Sequence, residues 1–254
     1  PSVALGRVDK VPQMIALREK VTQLDKLSVA ALVLLRFHRE LSLLTAEQFL
    51  DQYVFSNCQV RGVVLGPDSA IGRGREGTVE RLVEIFKSHG SHVEVAEELA
   101  DGPQRIRSRT LSQLITGGEL SLATHLLGRE YSVLGRVVRG DGRGKGLGFP
   151  TANLHTRDAL LPPNGVYSVC VEIANRSLQG VVNIGMRPTF DGDSVKVELH
   201  ILDFEEDIYG KLVKISLVNK IRDERKFNSV SELKEQIALD CSSAREDLKI
   251  CYGR

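Results

Sequence analysis

The amino-acid sequence predicts two differently built halves, an α/β layer followed by a small antiparallel β-barrel that closes on a helix. Three observations carry that expectation. Up to Gly128, short apolar runs alternate with amphipathic stretches of helical period. Beyond it, runs rich in Val and Ile succeed one another with Gly, Pro, Asn or Asp between them, roughly five or six strands in about a hundred residues. The last stretch then carries one apolar stripe at helical spacing. The break is expected near Gly128, giving domains 1–127 and 128–254.

In order, "VAALVLLRF" (29–37) reads as a buried strand, being short and continuously apolar. "LTAEQFLDQYV" (44–54) reads as a helix opened by a capping box, Thr45 with Gln48. "VRGVVLG" (60–66) is a second strand. "TVERLVEIFKSHG" places Val79, Leu82, Val83 and Phe86 on one helical face, with Gly90 as the left-handed stop. "TLSQLITGGELSLATHLLG" predicts two short helices about Gly117-Gly118, ending at Gly128. "EYSVLGRVVRG", "GVYSVCVEI", "SLQGVVNIG", "VKVELHILDF" and "KLVKISLVN" are the barrel strands. In the closing helix Ser229 and Glu232 suggest a capping box, and Val230, Leu233, Ile237, Cys241, Ala244 and Leu248 make the stripe.

Bulk properties narrow the function. Across 254 residues, 34 Lys and Arg balance 33 Asp and Glu, so the net charge of +1 leaves no electrostatic footprint for nucleic acid or a membrane surface. No apolar run is long enough to span a bilayer, and no leader pattern precedes the first elements. Cys58, Cys170, Cys241 and Cys251 show neither CxxC pairing nor a His at metal-ligand spacing, so reduced and mostly buried thiols in a cytoplasmic protein are expected. Oligomeric state is not legible.

The chemistry concentrates in "GKGLGFPTANL", residues 144–154. Gly144, Gly146 and Gly148 let backbone N–H groups approach phosphate oxygens closely, and Lys145 adds a positive charge. Past Pro150, Thr151 and Asn153 are two apart on an extended segment, a hydroxyl and an amide oxygen suited to Mg²⁺ carrying nucleotide phosphates. The same glycines serve equally in a plain hairpin turn. In "VKVELHILDF", Val195, Val197, Leu199 and Ile201 alternate with a face that bears Lys196, Glu198 and His200. Glu198 on a rigid strand is either a general base for a substrate hydroxyl or an ordinary surface charge. His200 reads as a surface group.

Five blocks then occur in order: "GRVVRGDGRGKGLGFPTANL", "NGVY", "GVVNIGMRPTF", "VELHILDFEEDIYGKLVKI" and "IRDERKFNSVSELKEQIALD". From about Leu127 to Leu248 the chain resembles the riboflavin kinase domain of bacterial bifunctional riboflavin kinase/FAD synthetases. The resemblance implies a six-stranded antiparallel barrel with a terminal helix, and transfer of the ATP γ-phosphoryl group to the riboflavin 5′-hydroxyl to give FMN. By position it implies that the Gly144–Gly148 loop, with Lys145, covers the ATP phosphates, and that Thr151 and Asn153 hold Mg²⁺ and phosphate. Glu198 becomes the base. Asn183 and Arg187 shape the site, Arg187 alternatively being a structural ion pair, and Arg222 lies in a mobile flavin-side flap.

The first half resembles that family's FMN adenylyltransferase domain through "MIALREKV", "LVLLRFHRELSLLTAEQFL", "VVLGPDSAIGRGREGT" and "LLGREY", which implies a nucleotidyltransferase-like, Rossmann-like fold. Its signatures depart from the family's. No HxGH motif is present, and "HGSH" (89–92) reads as surface. "RIRSRT" has Arg107, Arg109 and Ser112 where an ISSTxxR run would have Ser, Thr and Arg. "GPDSAIG" keeps Asp68 but not the aromatic residues of GxDFxFG. "IGRGREGT" (71–78) holds a nucleotide in the family and otherwise reads as a solvated loop. An incomplete or degenerate adenylyltransferase beside an intact kinase is the expectation. A working bifunctional enzyme and a non-catalytic flavin-binding regulator are the alternatives.

Overall fold

The computed structural model describes residues 6, 11–102, 104–140, 146–189 and 192–252. Contacts group the chain into two units: Pro1–Val11 with Ala31–Arg107, and Pro12–Ala30, which carries helix α1 (Leu17–Lys26), with Ser108–Arg254. This grouping differs from the break expected at Gly128, and packing explains the difference. Helices α4 (Ser108–Gly117) and α5 (Leu120–Leu127) bury Ile115, Leu120 and Ala123 in the same core as the barrel.

The first unit is a small α/β layer. Helix α2 (Ala46–Leu50) starts at the expected capping box, with Thr45 Oγ1 accepting from the Gln48 N–H and Gln48 Oε1 from the Thr45 N–H, and runs on into one π-helical turn, Asp51–Phe55. Strands β1 (Gly62–Leu65) and β2 (His92–Val95) are parallel, joined by α3 (Val79–Ser88), a βαβ unit. Gly90 has φ +74°, as the stop signal requires. β3 (Ala100–Asp101) and β4 (Gln104–Arg105) form a short ribbon. Leu50, Leu82, Ile85 and Phe86 make the core. The run 29–37 is not a strand: it is irregular and leaves Val33 and Leu34 exposed. A continuously apolar strand needs a hydrogen-bonding partner and cover on both faces. Among the described residues of this unit, the parallel pairing is between β1 and β2 alone.

The second unit is a closed antiparallel barrel, in the order β10-β5-β6-β9-β8-β7. Its strands are β5 (Tyr131–Val138), β6 (Ala152–His155), β7 (Gly165–Ile173), β8 (Arg176–Thr189), β9 (Gly192–Ile201) and β10 (Leu212–Arg222). Period-two alternation fills the interior with Tyr167, Val169, Val171, Val182, Ile184, Val197, Leu199, Ile215 and Leu217. The terminal helix α6 (Val230–Tyr252) lies on the outside of the barrel, packing Ile237, Cys241, Ala244 and Leu248 against Val166 and Val181. The expected stripe therefore holds from Leu233 onward, while Val230 is exposed. At the helix start Ser229 Oγ accepts from the Glu232 N–H, but Glu232 reaches the Asn228 N–H instead of closing the box on Ser229. Of the described cysteine side chains, Cys241 is buried, Cys170 partly so and Cys58 exposed.

Candidate active site

Antiparallel pairing places directly opposite residues on one face of a sheet. On the outer face of the barrel the register reads Asn153 (β6), Glu198 (β9), Asn183 (β8), Val166 (β7), Arg222 (β10), each the direct partner of the next. Four residues singled out in the sequence, from four different strands, thus stand in one row. The neighbours of Asn183 on β8 and of Glu198 on β9, Val182, Ile184, Val197 and Leu199, point into the core. The alternation that buries the core is what delivers the row to the surface.

Two cavities share Thr151, and the smaller of them reaches Glu198, Asn183, Val166 and Arg222 of this row. One, of about 340 Å³, lies between the barrel and α6. Its walls include Phe149, Val166, Val181, Phe227, Leu233 and Ile237, and its charged groups are Lys196, Glu198, Arg222, Glu224, Arg225 and Asp240, with Thr151, Asn183 and His200 beside them. The other, of about 570 Å³, runs from Val137 and Pro150 along Leu199 and Ile201 to the acidic segment 204–209. Thr151 lines both. The turn before Thr151 is pinned to β9, because His200 Nδ1 is 2.8 Å from the Pro150 carbonyl oxygen and its ring meets Phe149 edge-on. A carbonyl only accepts, so Nδ1 carries the proton. His200 is therefore an anchor of the turn, not the plain surface group expected.

Gly148 takes φ +87°, a conformation that calls for glycine, whereas Gly146 is helical with open space around it. Gly144 and Lys145 lie outside the described residues, as does the side chain of Arg187, whose backbone pairs with Ser194 in the β8–β9 ladder. Asn153 rests over Gly140: a Cβ at Gly140 would sit 1.8 Å from Asn153 Nδ2. Gly140 is thus a site residue that the motif reading passed over, since its glycine serves a side chain and not a turn.

Arg222 is the last residue of β10 rather than a flap residue, and its guanidinium is held. Nε lies 3.0 Å and Nη2 2.8 Å from the two carboxylate oxygens of Asp240 on α6, Nη1 donates to the Asp223 carbonyl, and Phe227 packs against the group. Asp240, only 2% exposed, also accepts from Gln236 at 2.7 Å. Beside Glu198, Lys196 Nζ stands 2.8 Å from Oε1. Among the described residues no cluster of three His, Cys, Asp or Glu is shaped to hold a metal, and no helix is long and apolar enough to cross a membrane.

In the first unit, Arg107 pairs with Asp68 at 3.1 Å and with Glu98. The 71–78 loop is docked, not free: Glu76 Oε1 accepts the Ala46 N–H at 2.6 Å, and a Cβ at Gly72 would lie 2.5 Å from that nitrogen. His89 stacks on Phe55, with centroids 3.9 Å apart.

The family model described as riboflavin kinase matches residues 127–248, and that described as FAD synthetase matches residues 1–110. The bifunctional riboflavin kinase/FMN adenylyltransferase of Escherichia coli K12 is 38% identical over 244 residues, 95% of this chain and 78% of the relative. The chain belongs to the bifunctional riboflavin kinase/FMN adenylyltransferase family. The Bacillus subtilis member is 35% identical over 96% of the chain and 78% of its own length. A solved structure titled as a macrolide-efflux protein from Streptococcus pneumoniae is similar too, with a TM-score of 0.81 and 32% identity, covering 92% of this chain and 76% of that one. The row and both cavities fall inside the segment that the family's kinase model matches.

Proposed function

We propose that this chain transfers the γ-phosphoryl group of ATP to the 5′-hydroxyl of riboflavin, giving FMN, with the division of activities near Gly128. The observation that carries this reading is the row Asn153–Glu198–Asn183 on the barrel's outer face, beside two cavities that share Thr151. The aromatic and aliphatic walls of the smaller cavity suit a flat, largely apolar ring. The carboxylates of Glu205 and Asp207 in the larger one suit the amino and hydroxyl donors of a nucleoside, while Glu206 is held by Arg176. Substrates seated on either side of Thr151 bring their reacting ends together at Glu198.

Phosphoryl transfer asks a protein for positioning and charge stabilisation more than for covalent chemistry. Glu198 accepts the proton of the attacking hydroxyl, and Asn183 orients that end of the flavin. The glycine loop with Gly144, Lys145, Gly146 and Gly148 covers the phosphates. Arg187 either shapes the rim or makes a structural pair. Arg222, tied to Asp240, forms a fixed wall of the flavin side. Mg²⁺ suits the donor set, since it prefers a few hard oxygens plus substrate phosphates to an all-protein cage, and Thr151 and Asn153 carry a hydroxyl and an amide oxygen. Thr151 and Asn153 would hold it, and it would neutralise phosphate charge. A cytoplasmic location fits cysteines that show neither CxxC pairing nor a His at metal-ligand spacing.

A second reading, adenylylation of FMN to FAD by the first unit, is favoured by the FAD synthetase match over residues 1–110 and by the bifunctional relatives. Against it stands Arg107, which engages Asp68 where the family pattern has serine. One assay tests both. The chain is incubated with riboflavin, ATP and Mg²⁺, and the flavins are separated by chromatography. FMN is the expected product; its absence would remove the kinase reading, and FAD after FMN would establish the second activity.

The buried thiol of Cys241, on the wall of the smaller cavity, offers an independent check on which cavity takes the flavin. Burial pushes it up to about 11, so little thiolate exists at neutral pH. Alkylation of Cys241 by iodoacetamide, followed by peptide mass mapping, is expected to be slow at pH 8 and to accelerate as pH rises. Saturating riboflavin should slow it several-fold further, and equal rates with and without flavin would place the ring elsewhere.

A further inference from the structure

We infer that Lys196 is a positioning residue for the proton-accepting carboxylate, an inference that rests on the reading of Glu198 as the base. Lys196 and Glu198 are two apart on β9, so both project from the same outer face, and Nζ lies 2.8 Å from Oε1. The pair is about three-quarters shielded from solvent, with side chains 24% and 27% exposed. In that setting the attraction is stronger than between freely exposed charges. The position across the ladder from Lys196 is Gly185, which contributes no side chain. The carboxylate of Glu224 occupies that space instead: a Cβ at Gly185 would lie 2.3 Å from Glu224 Oε1.

The corner around the base therefore holds two carboxylates, Glu198 and Glu224, on the face from which the Lys196 ammonium projects, and the Asp240 carboxylate of the same cavity has its own cation in Arg222. A polyphosphate arriving beside Thr151 adds more negative charge. Arg225, on the same cavity, donates to Gln236 and lies over Phe227; without Lys196, Glu198 would be pushed from the cluster into another rotamer and away from the hydroxyl it must reach. Lys196 holds one oxygen, Oε1, and leaves Oε2 to the substrate. Misplacing a catalytic group by about an ångström is enough to cost up to about a hundredfold in rate.

The test compares four variants, Glu198→Gln, Lys196→Met, Lys196→Arg and the double Lys196→Met/Glu198→Gln, by FMN formation at saturating ATP and Mg²⁺, with circular dichroism confirming the fold. Lys196→Met should lower kcat between about ten- and a hundredfold while the KM for riboflavin stays within about threefold. Lys196→Arg, which keeps the charge, should recover most of the loss. In the Glu198→Gln background, Lys196→Met should change the residual rate by less than about twofold, because a residue acting through a partner has nothing to act on once the partner is gone. A slow Glu198→Gln enzyme beside a Lys196→Met enzyme of full kcat would overturn the role of Lys196 alone, as would losses that multiply in the double variant. A Glu198→Gln enzyme of full rate would instead overturn the base, and the role of Lys196 with it.

Discussion

Glu198→Gln is expected to lower riboflavin phosphorylation by about 10²- to 10⁴-fold, the range that a positioned general base contributes. The glutamine keeps the size of the side chain and one acceptor oxygen but cannot take a proton at neutral pH. Glu198 is on a strand between Asn153 and Asn183, and its backbone hydrogen bonds are those of the ladder, so the change leaves the barrel intact. The loss should therefore appear in kcat and kcat/KM together, with the affinities for riboflavin and ATP nearly unchanged. Riboflavin fluorescence on binding and steady-state FMN formation measure the two quantities separately. A variant that binds normally and turns over within threefold of the parent would mean that the proton leaves by another route.

Most of the barrel was legible because period two is a strong signal when one face is buried. Val197, Leu199 and Ile201 announce the interior, and the same alternation places Lys196, Glu198 and His200 outside. What alternation cannot supply is the order of strands. That Asn153 and Asn183 flank Glu198 follows from register, set on one side by the β8–β9 hairpin and on the other by pairing with β6, far earlier in the chain. Of the glycines in the 144–148 segment, Gly148 justifies its residue type by its backbone angle. Gly140 was missed because the demand on it comes from Asn153, thirteen residues further on, and no local rule carries that information.

The run at 29–37 failed for the opposite reason. Composition speaks for a strand, but an apolar strand exists only beside a partner, and composition does not count partners. The boundary at Gly128 marks where the pattern changes from helical to alternating, and the kinase model's match begins beside it, at residue 127; the grouping by contacts answers a different question. Packing follows buried area instead, and Ile115 and Ala123, fully buried, tie α4 and α5 to the barrel. His200 was read as surface because a lone histidine on an alternating strand carries no sign of its acceptor; the Pro150 carbonyl is fifty residues away in sequence.

Asp240 lies buried on α6 between Ile237 and Cys241 of the apolar stripe, where a carboxylate needs a partner. Asp240→Ala is expected to destabilise the second unit by about 3 kcal/mol, the lower end of the cost of orphaning one member of a buried ion pair. The lower end applies because Arg222 retains the Asp223 carbonyl, the Phe227 ring and about a fifth of its side-chain surface in water. Asp240→Asn still offers one acceptor oxygen to Arg222 and should cost less. Replacing both partners with apolar residues of similar volume, Arg222→Met with Asp240→Leu, should recover much of the loss, since neither charge then remains to be desolvated. Urea unfolding followed by circular dichroism reads these differences as shifts in midpoint. The two apolar replacements should still weaken riboflavin binding, because Arg222 and Phe227 line the same cavity and the pair fixes their spacing. Stability recovered without affinity would separate the strut's contribution to folding from its contribution to the flavin wall. Full stability in Asp240→Ala would show instead that α6 is held to the barrel by its apolar stripe alone.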